Sequence, residues 1–199
     1  MAHRGDEEVF RGAVWLRPPD TALARLQDLA RRAQQRLGGP SLRLHLSLLS
    51  GIEQPRLAAE RRLKELAHRV PPLTLRTGRI SFYDDYFRAF FLRVELSEEL
   101  QRAQRLAHEL FEMNPPQDPY EPHLSLAYGE FDRATRAELA TELGGALELT
   151  FEVAAVQLVN AAAESSLGPA RGAEFRAQGF LKYRCSWRSK RPCRRFRRL

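Results

Sequence analysis

Only five histidines occur in the 199-residue chain, and two of them stand in the same four-residue phrase. His45 lies in LRLHLSLLSG and His123 in YEPHLSLAYG, 78 positions further on, each with a serine two places later, Ser47 and Ser125. The other three act as an internal control, since His3, His68 and His108 are followed at that offset by Gly5, Val70 and Leu110. Two imidazoles facing one cleft make a general acid–base pair. Imidazole titrates near neutrality, so one ring can be neutral while the other is protonated. A serine hydroxyl beside each ring can donate a hydrogen bond to a negatively charged oxygen held between them. A phosphate diester suits that layout. One ring takes the proton of the attacking water or hydroxyl, the other protonates the leaving oxygen, and the hydroxyls meet the non-bridging oxygens. This chemistry needs no metal, and no histidine stands in an H-E-x-x-H or H-x3-H spacing, so neither metal nor cofactor is expected. A Ser-His-Asp hydrolase is set aside because the chain lacks a G-x-S-x-G turn.

The elements that must position these residues are legible from periodicity. LRLHLSLL alternates and predicts a strand over 42–49, with a second HLSL strand over 123–129. Side chains alternate faces along a strand, so His45 and Ser47 share one face while Leu44, Leu46 and Leu48 share the other; His123 and Ser125 oppose Leu124 and Leu126 in the same way. The leucine face must be buried, which leaves the histidines to a cleft or to solvent. Further strands are predicted over 9–16, 73–83, 86–96 and 173–183, with one long strand or a pair over 146–161. Helices are predicted over 20–37, capped by Asp20 or Thr21, over 55–69, over 98–111 after Ser97, and over 132–145 after Asp132. Tight joins between some adjacent strands point to an α+β fold with antiparallel sheets. Trp15 reads as core, and core packing is the default for Phe87, Phe90 and Phe91; Phe87 and Phe91 share a strand parity that Phe90 does not, so not all three can line the cleft. Arg43 and Arg79 have the charge to contact a phosphate, but exposed arginines are common and neither is assigned a role.

The net charge of +7 is misleading. Nine of the 32 Lys and Arg, and none of the 25 Asp and Glu, lie between Lys182 and Leu199, so residues 1–181 hold 23 basic against 25 acidic side chains. The body is not a basic protein. Residues 184–199 are expected to be a basic, disordered tail that offers a surface for RNA phosphates. Both cysteines, Cys185 and Cys193, lie there, so no disulfide framework or zinc site is expected. No apolar run is long enough to span a membrane, and the charged MAHRGDEEVF start has no signal-peptide pattern. A soluble, intracellular protein is expected, in the cytoplasm or the nucleus.

Two H-x-[ST] strand motifs at this separation resemble the two-histidine (2H) phosphoesterase superfamily. Within it, PYEPHLSLAYGEF, VWLRPPDTALARLQDL and GGPSLRLHLSLLSG are similar to segments of the plant and fungal cyclic phosphodiesterases. The resemblance covers about residues 9–180. It implies that residues 1–183 form one bilobal, pseudo-two-fold domain, with two antiparallel sheets facing a central cleft and helices outside. It implies hydrolysis of ADP-ribose 1″,2″-cyclic phosphate, a tRNA-splicing by-product, or of nucleoside 2′,3′-cyclic phosphates to 2′-phosphates. His45, Ser47, His123 and Ser125 would be the catalytic set, with His123 as base and His45 as acid, although the sequence itself leaves that order open. Tyr128 would contact substrate, and Tyr86 and Phe87 would be an aromatic rim for a nucleobase. The chain departs from the pattern in having Ser47 for a threonine, no proline before His45, none of the cysteines that some relatives pair, and the extra tail. A monomer is expected. The competing readings are an RNA-end enzyme of the same superfamily, either 2′-5′ RNA ligase-like or a 3′-end exonuclease, and a non-catalytic nucleotide binder.

Overall fold

The computed structural model describes residues 9–160 and the backbone of two short stretches, 182–186 and 194–196. Within them, nine strands and four helices run in the order β1 (Val9–Leu16), α1 (Asp20–Leu37), β2 (Leu46–Pro55), α2 (Arg56–Arg69), β3 (Leu73–Ser81), β4 (Phe90–Val94), α3 (Glu98–Leu110), β5 (His123–Ala127), α4 (Arg133–Glu142), β6 (Thr150–Val153), β7 (Ala155–Asn160), β8 (Lys182–Ser186) and β9 (Arg194–Phe196). They form two antiparallel sheets, ordered β2-β1-β7-β8-β9 and β5-β4-β3-β6. The strands bearing the two histidine motifs thus occupy corresponding edges, β2 in one sheet and β5 in the other. The α+β architecture with two antiparallel sheets is the one expected.

The sheets are joined by one short run of chain. β6 pairs with β3 and β7 with β1, so the apolar stretch expected at 146–161 is a pair of strands that changes sheet at Ala154. The helices tie the halves together. α1 leaves the first sheet after β1 yet packs on β5 and α4, while α3 leaves the second sheet after β4 and packs on β2 and α2. Each motif strand is therefore backed by the helix of the other half.

Local chemistry explains these elements. Ala22, Leu26, Leu29, Ala30 and Ala33 form the buried stripe of α1. Ser97 accepts from the Leu100 amide at the start of α3, and Asp132 from the Thr135 amide at the start of α4, as their sequence suggested. The cap expected for α1 is different. Asp20 is already helical, and Pro19 precedes it without a side-chain cap; the acid instead lies in the first turn, where it favours the helix dipole. One main core unites both sheets, with Phe10, Phe90 and Phe111 among its largest fully buried side chains.

Several boundaries move. β2 begins at Leu46, so His45 stands just ahead of its strand, and β2 continues to Pro55. The strand expected from Tyr86 begins at Phe90, because Tyr86–Arg88 form a turn of 3₁₀-helix. Asp85 accepts from the Phe87 and Arg88 amides and nucleates that turn, so the shared parity of Phe87 and Phe91 does not exist. In the segment expected to be an unstructured tail, Arg184–Ser186 continue β8 beside β7, and Arg194–Phe196 are β9. The loop expected at 162–172 and most of the strand expected at 173–183 lie outside the described residues, as does the remainder of the tail.

Candidate active site

Each histidine is oriented in the same way by its own chain. His45 Nδ1 donates to the Arg43 carbonyl at 2.6 Å, and His123 Nδ1 donates to the Glu121 carbonyl at 2.8 Å. A carbonyl can only accept, so each neutral ring carries its hydrogen on Nδ1 and keeps its lone pair on Nε2. The carbonyl lies two residues before the ring in both cases, which repeats one local geometry in both halves of the fold.

The neighbouring strand supplies the wall behind each ring. Trp15 is opposite Ser47 in the β1–β2 register, and its indole stacks on the His45 ring with centroids 3.5 Å apart and planes within 9°. Phe91 is opposite Ser125 in the β4–β5 register, and its ring lies 5.1 Å from His123, tilted by 57°. Trp15 is 4% exposed, packed with Ala13 and Val159 on the sheet face opposite the main core. It is buried, as the sequence suggested, but it is also the platform under a motif histidine. His45 is buried at 8% exposure on that same face, while Leu44, Leu46 and Leu48 enter the main core. The alternation of the two faces is as expected.

Several contacts bring the two motifs together. β2 and β5 lie against each other across the gap between the sheets. The Tyr120 hydroxyl, three residues before His123, donates to the Ser47 carbonyl at 2.8 Å; the phenol is buried and its pKa is pushed up by desolvation. Gly39, on the approach to the first motif, has φ +95°, and a Cβ there would meet the Tyr128 carbonyl at 2.4 Å. Only glycine suits both that backbone angle and that approach. Burial lowers the His45 pKa to about 4 against the opposing hydrogen bond to the Arg43 carbonyl, and the charge of His123 adds to the lowering. The His123 pKa is lowered too. Its causes are burial first and Arg88 among its neighbours, opposed by the hydrogen bond to Glu121 and by the charges of Glu121 and Asp85.

The serines differ. Ser47 is half-buried and faces Trp15 across the strand pair. Ser125 is buried, and its hydroxyl donates to the Phe87 carbonyl at 3.2 Å, which ties β5 to the 3₁₀ turn. That turn gathers the three expected aromatics. Tyr86 and Phe87 have centroids 5.1 Å apart, and Tyr128 lies 6.4 Å and 5.6 Å from them. Phe87 is 53% exposed and Tyr128 only 6%, so Phe87 presents its ring and Tyr128 supports it.

A polar network behind His123 was not foreseen. The Tyr83 hydroxyl donates to the Glu121 carboxylate at 3.1 Å, and Arg93 donates to the Tyr83 oxygen at 2.7 Å and to Ser81 Oγ at 2.9 Å. Arg88 and Arg93 both pair with Glu121. Arg136, buried on α4, holds the Tyr83 carbonyl and the Asp84 carboxylate and so anchors the loop leading into the turn. The one sequence signal for this network is that Glu121 lies two residues before a motif histidine. Among the described residues, no three His, Cys, Asp or Glu side chains converge as a metal ligand set, and no helix is long and apolar enough to cross a membrane.

Two sheets that each offer an H-x-S edge strand to one gap define a two-histidine phosphoesterase. Comparison with known proteins places the chain within that class. Residues 18–164 match the model of the 2′-5′ RNA ligase superfamily, and the chain belongs to it. Solved structures show the same fold. LigT of E. coli, complexed with 3′-AMP, is 14% identical and superposes with a TM-score of 0.57 over 89% of this chain and 95% of its own. TT0787 of Thermus thermophilus is 16% identical, with a TM-score of 0.56 over 92% and 99%. A protein described as a phosphoesterase is 12% identical, with a TM-score of 0.52 over 90% and 99%. No curated protein matches the chain.

Proposed function

We propose that the protein hydrolyses cyclic phosphodiesters without a metal, with His45, Ser47, His123 and Ser125 as its catalytic residues. The observation that carries this is the repeated tether of Nδ1 to a carbonyl two residues back, at 2.6 and 2.8 Å. It leaves two Nε2 atoms for one substrate, one from each sheet. In the order that the cyclic phosphodiesterase resemblance favours, His123 Nε2 takes a proton from water as its oxygen attacks phosphorus. The bond from phosphorus to the departing ribose oxygen breaks, and protonated His45 Nε2 gives that oxygen a proton. The protonation states of the two rings are then exchanged, and proton transfer through solvent resets them. His45 is a poor proton carrier in the free protein because burial favours its neutral form. An anionic phosphate arriving in the same low-dielectric gap favours the imidazolium, so the acid is charged as substrate binds. The serine hydroxyls donate to the non-bridging oxygens, Ser125 by turning from the Phe87 carbonyl. The exposed Phe87 ring, propped by Tyr86 and Tyr128, offers a face for a nucleobase.

Small nucleotide substrates are supported by the solved complexes of E. coli LigT with 3′-AMP and with phosphate. The superfamily match and the nine basic residues after position 181 favour a second reading, action on RNA ends. The test is turnover with EDTA present. ADP-ribose cyclic phosphate, 2′,3′-cyclic nucleotides and a short RNA ending in a cyclic phosphate would each be offered, with products followed by phosphatase-coupled release. Hydrolysis of the small molecules to phosphomonoesters, the 2′,3′-cyclic nucleotides to 2′-phosphates, is the expected result; action on the RNA alone selects the second reading, and no hydrolysis of any overturns both.

A further inference from the structure

The cluster around His123 holds a cation whose donors are largely unspent. Arg93 stands opposite His123, and Phe91 opposite Ser125, in the β4–β5 register. These four residues therefore share one face of the second sheet, while Phe90, Leu92, Leu124 and Leu126 enter the main core on the other. Tyr83 lies on the histidine face too, its ring 5.3 Å from Phe91. The 3₁₀ turn stands over the same face, because the Ser125 hydroxyl reaches the Phe87 carbonyl. Arg88 follows Phe87 and ends that turn. Its guanidinium lies 5.1 Å over the Tyr83 ring, and its charge acts on His123. The neighbouring charges are unequally engaged. Arg93 is held by Ser81 Oγ, the Tyr83 oxygen and Glu121. One Asp85 oxygen is taken by the Phe87 and Arg88 amides. The Arg88 side chain pairs with Asp85 at 3.6 Å and Glu121 at 3.7 Å, both beyond hydrogen-bond distance, and is 41% exposed. Such pairs contribute little. The turn does not depend on that side chain, since backbone bonds from Tyr83 to Arg88 and from Gly129 to Tyr86 hold it along with Asp85.

We propose that Arg88 is a further catalytic residue, whose guanidinium leaves the two carboxylates for a non-bridging oxygen of the phosphate held between His45 and His123. This rests on the phosphodiesterase reading above and adds a cation to a site whose other donors to those oxygens, the Ser47 and Ser125 hydroxyls, are neutral. As water adds to phosphorus, negative charge grows on the non-bridging oxygens. A guanidinium fixed beside them answers that charge in a setting of low dielectric, and its fork of N–H groups matches phosphate in geometry. Arg88 also serves His123. In the free protein its charge opposes the imidazolium, which keeps the base neutral and able to accept a proton. Once the guanidinium is paired with the anion that opposition is offset, so the ring takes up its proton as the water attacks.

The test uses the full chain with Arg88→Ala and, separately, Arg88→Lys, thermal melting confirming that both fold. With a 2′,3′-cyclic nucleotide as substrate, kcat/KM of Arg88→Ala is expected to fall roughly 10²-fold, the worth of one preorganised donor to a developing oxyanion. Lysine keeps the charge without the fork and should recover part of the loss. Free guanidinium ion, added to Arg88→Ala at constant ionic strength, should raise its rate while leaving the wild type unchanged, an effect that a merely structural role would not show. Turnover of Arg88→Ala within about threefold of the wild type overturns the proposal, as does a loss that neither lysine nor guanidinium relieves. Titration with inorganic phosphate, followed on the His123 ring by NMR, separates this contact from the activity. If the wild-type protein turns over nothing yet binds phosphate, and Arg88→Ala binds it roughly tenfold more weakly, the phosphodiesterase reading fails and the Arg88–phosphate contact stands. If turnover is present and Arg88→Ala retains both rate and phosphate affinity, the contact fails and the phosphodiesterase stands. Neither turnover nor phosphate binding in the wild type overturns both.

Discussion

The two HLSL segments are identical in letters and unlike in surroundings. In the first, His45 is pressed flat on Trp15, 3.5 Å away and nearly parallel, in a setting poor enough in water to bring its pKa to about 4. In the second, half-buried His123 is tilted by 57° against Phe91, with Arg88, Glu121 and Asp85 close enough to act on its charge. Ser47 keeps some exposure while Ser125 is buried and bonded to the Phe87 carbonyl. The tetrapeptide sets the direction of each ring, and the adjoining strand sets its proton affinity. A pair of proton carriers with unequal environments is what acid–base catalysis on one phosphorus requires.

The largest effect comes from removing either ring. His45→Ala and His123→Ala are each expected to lower kcat by ~10²–10⁴-fold, the ordinary worth of a positioned acid or base. The two losses should not multiply in the double variant, since the rings act as a unit. A substrate whose leaving group needs no proton, such as a p-nitrophenyl phosphodiester, sharpens the comparison. It should restore much of the rate to the variant lacking the acid and none to the variant lacking the base. Near-wild-type turnover in either single variant would remove that half from the mechanism.

The next effect is on stability, and it belongs to the first half-site. Folding lowers the His45 pKa from 6.5 to about 4, so the unfolded chain binds more protons between those values. The stability lent by the neutral ring is whole above pH 6.5, declines as pH falls, and is lost below about 4; the total is about 3 kcal/mol. Urea unfolding at pH 7 and pH 4 should therefore show His45→Gln losing about 3 kcal/mol less across that interval than the wild type. Carboxylates titrating in the same range affect both proteins alike and cancel. Equal losses would mean that His45 is wet and that the Trp15 stack does not shield it.

Much of this could be read before any coordinates. Strand periodicity placed the leucines inward and both histidines on the opposite face, and the glycines and prolines marked the ends of α1 correctly. What escaped was set by partners distant in sequence. Nothing local says that Trp15 will stand across from Ser47, because that depends on a bulged β1–β2 register. Tyr86 and Phe87 read as strand because they are aromatic. The Asp85 side chain diverts the backbone by capping a 3₁₀ turn, and tertiary contact of that turn with β5 holds it. The exchange of α1 and α3 between the sheets was invisible for the same reason, since an amphipathic stripe states that a helix is covered and not by what.

The smallest effect tests the second half-site through Glu121. Its carbonyl orients His123, while its carboxylate accepts from Tyr83 and pairs with Arg88 and Arg93. Glu121→Gln keeps the carbonyl and leaves an amide of the same shape, so ring direction is retained and only charge is lost. The carboxylate stabilises the His123 imidazolium, and removing it frees Arg88 to oppose that charge more strongly, so both consequences lower the His123 pKa. The carboxylate is 41% exposed, and pairs of that kind are worth about 0.2–1 kcal/mol, which is under one pKa unit. Histidine titration by NMR should show the His123 resonance shifted to lower pH by a fraction of a unit while His45 moves far less. The acidic limb of kcat/KM should follow His123 by the same amount. A shift shared equally by the two rings would show that the halves are one electrostatic unit, and the distinction drawn between them would then rest on Trp15 alone.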